Sequence, residues 1–314
     1  MTPARHAGRL VLNVSGEGPA AVDSRRGSGS VPRGPRSGHA PGGDVMSKKF
    51  QTAAEARLCV DRVVPMDLKR EAARGAIAQN PLNDPAPYLL KVKRPGVALH
   101  PLKMALETGK RWKPGQTLRV RFLDGSKLQR QRVTEQANTW LADANVKFLW
   151  VASGAAELRI SFTADPGSWS AVGTDCLLTQ YFPKSGPTMN FGWLRDDTDD
   201  VEYRRVVVHE FGHALGCIHE HQNPQGGIVW NVPAVLAMFG GPPNNWSEAE
   251  IRSNIIDKYS LDQLNATRFD VKSIMLYAFP KALIKGPPSL LATGTPENTQ
   301  ASSRDKAFIR KMYP

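Results

Sequence analysis

Cysteine is scarce: Cys59, Cys176 and Cys217 are all the chain has in 314 residues, and no CxxC pair occurs. So few and so scattered, they exclude a disulfide-stapled fold. No stretch approaches the ~20 apolar residues of a membrane span, and Leu10-Val11-Leu12 falls far short of the ~7–15-residue apolar core of a secretory leader. The sequence therefore predicts no membrane span, and a protein that is cytoplasmic or exported by a non-classical route. Acidic residues are in deficit as well, 29 Asp and Glu against 41 Lys and Arg, for a net charge of +12. Such a balance would suit an acidic partner, but residues 1 to 50 alone carry eight Lys or Arg against three Asp or Glu. No aromatic residues interleave with these arginines to stack on bases, so nucleic acid is not an expected partner.

What the chain does have is enough apolar sequence, 41%, for one substantial domain with extensions. Residues 1–46 are dominated by Gly, Pro, Ser and Arg, as in Arg25-Arg26-Gly27-Ser28-Gly29-Ser30. That composition cannot bury enough surface to offset chain entropy and predicts a disordered tail. Met46 opens more ordinary sequence, so the tail is expected to lie outside the native protein, which mass spectrometry of the N-terminus would check. Residues 47–110 predict an irregular N-terminal extension broken by Asn80-Pro81, Asp84-Pro85 and Arg94-Pro95-Gly96, with a short helix over Ala53 to Val60.

From residue 111 to 314 the pattern sharpens into the expected catalytic domain. Thr117 to Phe122, Val146 to Trp150 and Glu157 to Phe162 alternate apolar and polar residues as half-buried strands do, and Thr188 to Phe191 is a shorter fourth strand. Leu128 to Ala144 repeats apolar residues at helical spacing through Val133, Ala137, Trp140 and Leu141. A second helix is predicted from Asp199, with Glu202 completing a capping box and Val206, Val207, Phe211 and Leu215 forming its apolar face. Further helices are expected after Ser247, with Ile251, Ile255 and Ile256 on one face, and over Ser303 to Met312. Strands and helices in this order predict a layered α+β fold.

The second helix carries the chemistry, in the run His209-Glu210-Phe211-Gly212-His213-Ala214-Leu215-Gly216-Cys217-Ile218-His219. Residues four apart share a helix face, so His209 and His213 can direct two imidazole nitrogens to one metal ion. Glu210 lies beside them, where a general base is needed. Gly216 supplies the permissive backbone at which the helix ends and turns, and His219 then supplies a third ligand, leaving a fourth position open. Three neutral imidazoles with an open site suit one catalytic Zn2+, and a metal-activated water with Glu210 as base is the chemistry of peptide-bond hydrolysis.

HExxHxxGxxH resembles the metzincin metallopeptidases, over about residues 110 to 280. The resemblance implies a mixed twisted sheet and active-site helix in an upper lobe, a mostly helical or irregular lower lobe, and a methionine turn beneath the metal. Ser273-Ile274-Met275-Leu276-Tyr277 matches that turn, and Tyr277 matches the tyrosine that stabilises the oxyanion in the astacin and serralysin branches. His219-Glu220 is similar to the astacin ending, in which the glutamate is linked to the processed N-terminus. The chain lacks the cysteine pairs of secreted animal astacins, and Cys217 stands where an aromatic is usual. It is thus identified as astacin-like: a zinc endopeptidase with His209, His213 and His219 as ligands, Glu210 and Tyr277 as catalytic residues, and Met275, Gly216 and Glu220 in support.

A peptide or protein substrate would add as a strand to a sheet edge. The expected edge is Thr188, Met189, Asn190 and Phe191 to Gly192, with Phe279 helping to wall the pocket beyond Tyr277. Cys217 is expected as a small buried thiol and His221 as an exposed loop residue. Capping of a latent zinc by the Cys59 thiolate is chemically allowed but not favoured by anything in the sequence. A monomer is expected. The competing reading is a non-catalytic zinc-holding protein that binds peptide or nucleic acid; against it, structural zinc is generally closed by four protein ligands.

Overall fold

Thr117–Phe122 (β1) buries Leu118 and Val120 completely while Thr117 and Arg119 face outward, as its period-two pattern requires. In the computed structural model, which describes residues 59, 62, 64–86, 109–164, 167–241, 244–258 and 268–314, this strand lies inside the sheet, paired on both sides. The tail, the helix expected before Val60 and the Arg94-Pro95-Gly96 breaker lie outside the described residues. All of those described belong to one unit, Lys48–Pro314.

The sheet has five strands in the order β2-β1-β3-β5-β4: Lys147–Trp150 (β2), Leu158–Ser161 (β3), Trp169–Ser170 (β4) and Met189–Asn190 (β5) join β1. Pairings are parallel except β4 with β5, which is antiparallel. Between β1 and β2 the chain crosses over through helix α2, Lys127–Ala137, which opens on a capping box formed by Ser126 and Gln129 and tightens into a 3-10 turn at Asn138–Ala142. The fold is α+β, and no helix among the described residues is long and apolar enough to cross a membrane.

Two expectations change here. The strand Leu158–Ser161 is buried on both faces, not one. Loops cover its outer side, and Arg159 is drawn in among their carbonyls, donating to Ala156, Phe182, Pro183 and Gly186. Nor is the N-terminal extension irregular throughout. Lys69–Gln79 is a helix, α1, that buries Ala72, Ala73 and Ala76 and contacts the 3-10 turn Gly173–Leu177. Alanine makes a shallow apolar face that a hydrophobic pattern barely registers, although it is the best helix former. Asn83 then bonds the Arg111 backbone at both N–H and C=O, and Asn80 donates to the Trp112 carbonyl.

Helix α3, Asp200–Ala214, lies against the sheet with Phe211 in edge contact with Phe148 at 5.3 Å between ring centroids. Asp199 caps it by accepting from the Glu202 N–H, while the Glu202 carboxylate accepts from the Trp193 indole and pairs with Arg205. Beyond it the lower lobe holds Val232–Gly240 (α4), Glu248–Ile251 (α5) running into a π-helical turn, Pro288–Leu291 (α6) and Ser303–Met312 (α7). A short ribbon of Val229–Trp230 (β6) with Ile284–Gly286 (β7) completes it.

Candidate active site

The end of α3 is a fully satisfied terminus. Gly216, at φ +92°, takes the left-handed conformation that stops the helix. Its N–H bonds the His213 carbonyl and the Cys217 N–H bonds Gly212, the paired bonds of a Schellman motif. The remaining carbonyls go to aromatic donors from afar: the Trp112 indole reaches Ala214 and the Tyr313 hydroxyl reaches Leu215. Such a stop leaves the chain free to reverse, and the reversal carries His219 back to the face of the helix that bears His209 and His213.

The three Nε2 atoms form a triangle with sides of 3.1, 3.0 and 3.3 Å. A tetrahedral ion with bonds of about 2.0–2.1 Å holds its ligand nitrogens roughly 3.3 Å apart, so the triangle fits Zn2+. Ring orientation is fixed from behind. The His209 Nδ1–H donates to the Ile274 carbonyl at 2.8 Å and the His213 Nδ1–H to the Cys217 carbonyl at 2.9 Å, which leaves each Nε2 lone pair inward. Burial, reinforced by the neighbouring imidazoles, holds His209 and His219 well below the usual histidine range, so both rings are neutral, as ligation requires.

Glu210 is buried beside the triangle, and the Cys59 thiol donates to its Oε2 at 3.3 Å. The donor atoms of Cys59, His209, His213 and His219 all lie within 4.8 Å of one another. Tyr277 hangs over the third histidine, in contact with its Nε2, and its hydroxyl donates to the Cys59 carbonyl at 2.7 Å. Met275 supports the cluster from below: a Cβ on Gly212 would come within 2.5 Å of its sulfur, so the glycine inside the histidine run makes room for the methionine. The methionine turn itself is held by Asp305 of α7, whose carboxylate accepts from the Ser273 hydroxyl and the Ile274 N–H.

Glu220 opens onto a neighbouring cavity of about 60 Å³ that is also lined by Asp270, Asp305, Gly216 and Met275. It accepts from the Asp270 N–H at 2.7 Å and from Asn223 at 3.0 Å, and burial raises its carboxyl to about 7. The Lys110 carbonyl lies 3.3 Å from a Cβ placed on Gly216, one of the residues that line this cavity.

The residues expected to form the substrate edge are elsewhere. Thr188, Met189, Asn190 and Phe191 are buried in or beside β5, an interior strand with β3 on one side and β4 on the other. Asn190 is a bracket, accepting from the Ser161 hydroxyl and the Thr163 N–H. The edges of the sheet are β2 and β4, and β4, Trp169–Ser170, is a two-residue strand whose edge position comes from a pairing with β5 that local sequence does not reveal. Phe279 is likewise buried, within 4.8–5.6 Å of Trp230, His221 and Tyr277 by ring centroid. His221 is not exposed either: a 3-10 turn at Glu220–Gln222 folds it inward, where its Nε2 bonds the Asn254 carbonyl. Sequence reasoning missed Asp305 and the edge strand and gave Cys59 no favoured role. Only Asp305 left a local sign, the Ser302-x-x-Asp305 capping box.

The sequence pattern of the matrixin family matches residues 117–228. Among solved structures, one of myroilysin is 38% identical to this chain with a TM-score of 0.61, covering 65% of this chain and 96% of its own. A crystal structure of myroilysin gives 38% identity and a TM-score of 0.51, covering 65% of this chain and 86% of its own. High choriolytic enzyme 1, a hatching enzyme zinc-protease from the medaka Oryzias latipes, is 19% identical at a TM-score of 0.41, too distant to decide a branch. A search among curated proteins finds no match.

Proposed function

This chain belongs to the metzincin family of zinc endopeptidases, and from that premise we propose that the structure corresponds to a latent form, closed by Cys59, of an enzyme whose residues divide the work as follows. His209, His213 and His219 hold the metal. When bound there, zinc supplies Lewis acidity and lowers the pKa of a water to about 7. Glu210 takes the proton of the attacking water and passes it to the leaving amine. Tyr277, whose hydroxyl already lies against His219, donates a hydrogen bond to the oxygen that gains charge as the peptide carbonyl is attacked.

The observation that carries this reading is the convergence of a thiol and three imidazole nitrogens within 4.8 Å. A thiolate is a good fourth ligand for zinc, and with it in place no position remains for water. Cys59 and the residues after it therefore act as a plug. Its removal exposes Glu210, frees the Tyr277 hydroxyl from the Cys59 carbonyl and opens the cleft.

The astacin-like branch rests on Glu220. Cleavage shortly before Gly109 would create an ammonium group close to Lys110, whose carbonyl approaches Gly216, a residue of the cavity into which Glu220, Asp270 and Asp305 open. A new N-terminus would bring a second cation, beside Arg304, to these carboxylates, and its docking would brace the methionine turn through Ser273 and Met275, which also line the cavity.

The test is hydrolysis of a mixed peptide library by the processed protein and by Glu210→Ala. General-base removal should cost about 10²–10⁴-fold in kcat while zinc content stays at one per chain. Equal turnover by the two proteins would contradict the role of Glu210.

A further inference from the structure

Three residues beyond Cys59, the Arg62 guanidinium carbon sits 4.6 Å from the centroid of the Trp169 ring and 5.6 Å from that of Tyr181. Both are contacts of a cation with an aromatic face. Among the described residues the Arg62 Nε and the Trp169 indole N–H have no hydrogen-bond partner, and the two ring faces are the contacts seen at the guanidinium. Trp169 belongs to β4, the edge of the sheet where a peptide substrate would add.

The slot is built independently of the arginine in it. Phe182, fully buried, stacks on Trp169 at 6.3 Å and meets Tyr181 edge-on at 4.8 Å, which fixes both walls. The loop that carries Tyr181 and Phe182 is in turn held by Arg159, whose guanidinium donates to the Phe182, Pro183 and Gly186 carbonyls. Arg159 spends its donors on backbone carbonyls, whereas Arg62 is carried by the segment that holds Cys59 three residues earlier.

We propose that Trp169 and Tyr181 form a substrate subsite for an arginine side chain, which Arg62 fills in the latent chain. This rests on the reading of Cys59 and the residues after it as a plug that leaves on activation. Arg62 stands three residues beyond Cys59, and three residues of chain reach at most about 10–11 Å, which bounds its distance along the chain from the residue at the metal centre. A substrate arginine would therefore sit two to four residues from the scissile bond. Stacking on two ring faces selects a planar, weakly hydrated cation, so arginine is preferred over lysine, and charge on the face selects arginine over its neutral isostere citrulline.

The experiment uses the processed enzyme and a cleavable neutral peptide in which arginine, lysine or citrulline is walked through four positions on each side of the scissile bond. At one position arginine should exceed citrulline by about tenfold in kcat/KM, with lysine between them. In Trp169→Leu and in Tyr181→Leu the ratio of arginine to citrulline at that position should fall to within about threefold of unity. Because the ratio is taken within each variant, a general loss of activity cancels; if Trp169→Leu does not fold, Tyr181→Leu decides. Arginine no better than citrulline at every position, or a preference that survives in the variants, overturns the subsite. Equal cleavage of the neutral peptide before and after processing would instead overturn the plug, and the subsite with it.

Discussion

At the scale of single residues, the site is a set of groups whose freedom has been removed from behind. His209 and His213 each spend Nδ1 on a backbone carbonyl, so the nitrogen left for a metal is decided before any metal arrives. The three thiols differ in the same concrete way. Cys176 and Cys217 are buried in the core, and burial pushes the Cys176 thiol well up, which keeps it protonated and inert. Cys59 is buried too, but on a segment joined to the catalytic body at the metal cluster, the Tyr277 hydroxyl and the Arg62 slot. Iodoacetamide should therefore leave the unprocessed, zinc-loaded protein unmodified, and a chelator should expose one reactive thiol, at Cys59, as read by peptide mapping. Labelling of Cys176 or Cys217 before Cys59 would mean that the segment is held by something other than the metal.

At the scale of elements, the local part of the site was legible from helix period, and of the assembled part only Met275 and Tyr277 were, through the family resemblance. His209, Glu210, His213, Gly216 and His219 fall within eleven residues, so helix period and one glycine suffice to place them. The positions that escaped depend on partners far along the chain. Which strand forms the sheet edge is set by β4 crossing back onto β5. The inward turn of His221 is set by a carbonyl at Asn254, and the approach of Cys59 to Glu210 spans 151 residues. Asp305 shows how one side chain joins two elements. It closes the capping box of α7 by accepting from the Ser302 N–H and also holds Ser273 and Ile274 of the methionine turn. Asp305→Ala strands those donors and should cost about 2–3 kcal/mol, seen as a fall in denaturant midpoint, with weaker zinc retention because Ile274 also orients His209. A variant with unchanged midpoint and zinc affinity would show that the turn holds itself.

At the scale of the whole molecule, one construction serves both storage and catalysis. In the proposed latent form, the metal cluster and the sheet edge that would receive a peptide are occupied by the chain's own Cys59 and Arg62. Helix α1 and the Asn80 and Asn83 side chains link the sequence after that segment to the body at Arg111 and Trp112. The metal position tests this arrangement most directly. X-ray absorption at the zinc edge should give, for the unprocessed protein, three nitrogen scatterers at about 2.0–2.1 Å and one sulfur at about 2.3 Å, and for the processed protein the nitrogens with the sulfur replaced by oxygen. A first shell of nitrogen and oxygen alone in the unprocessed protein, or sulfur that persists after processing, would contradict the account.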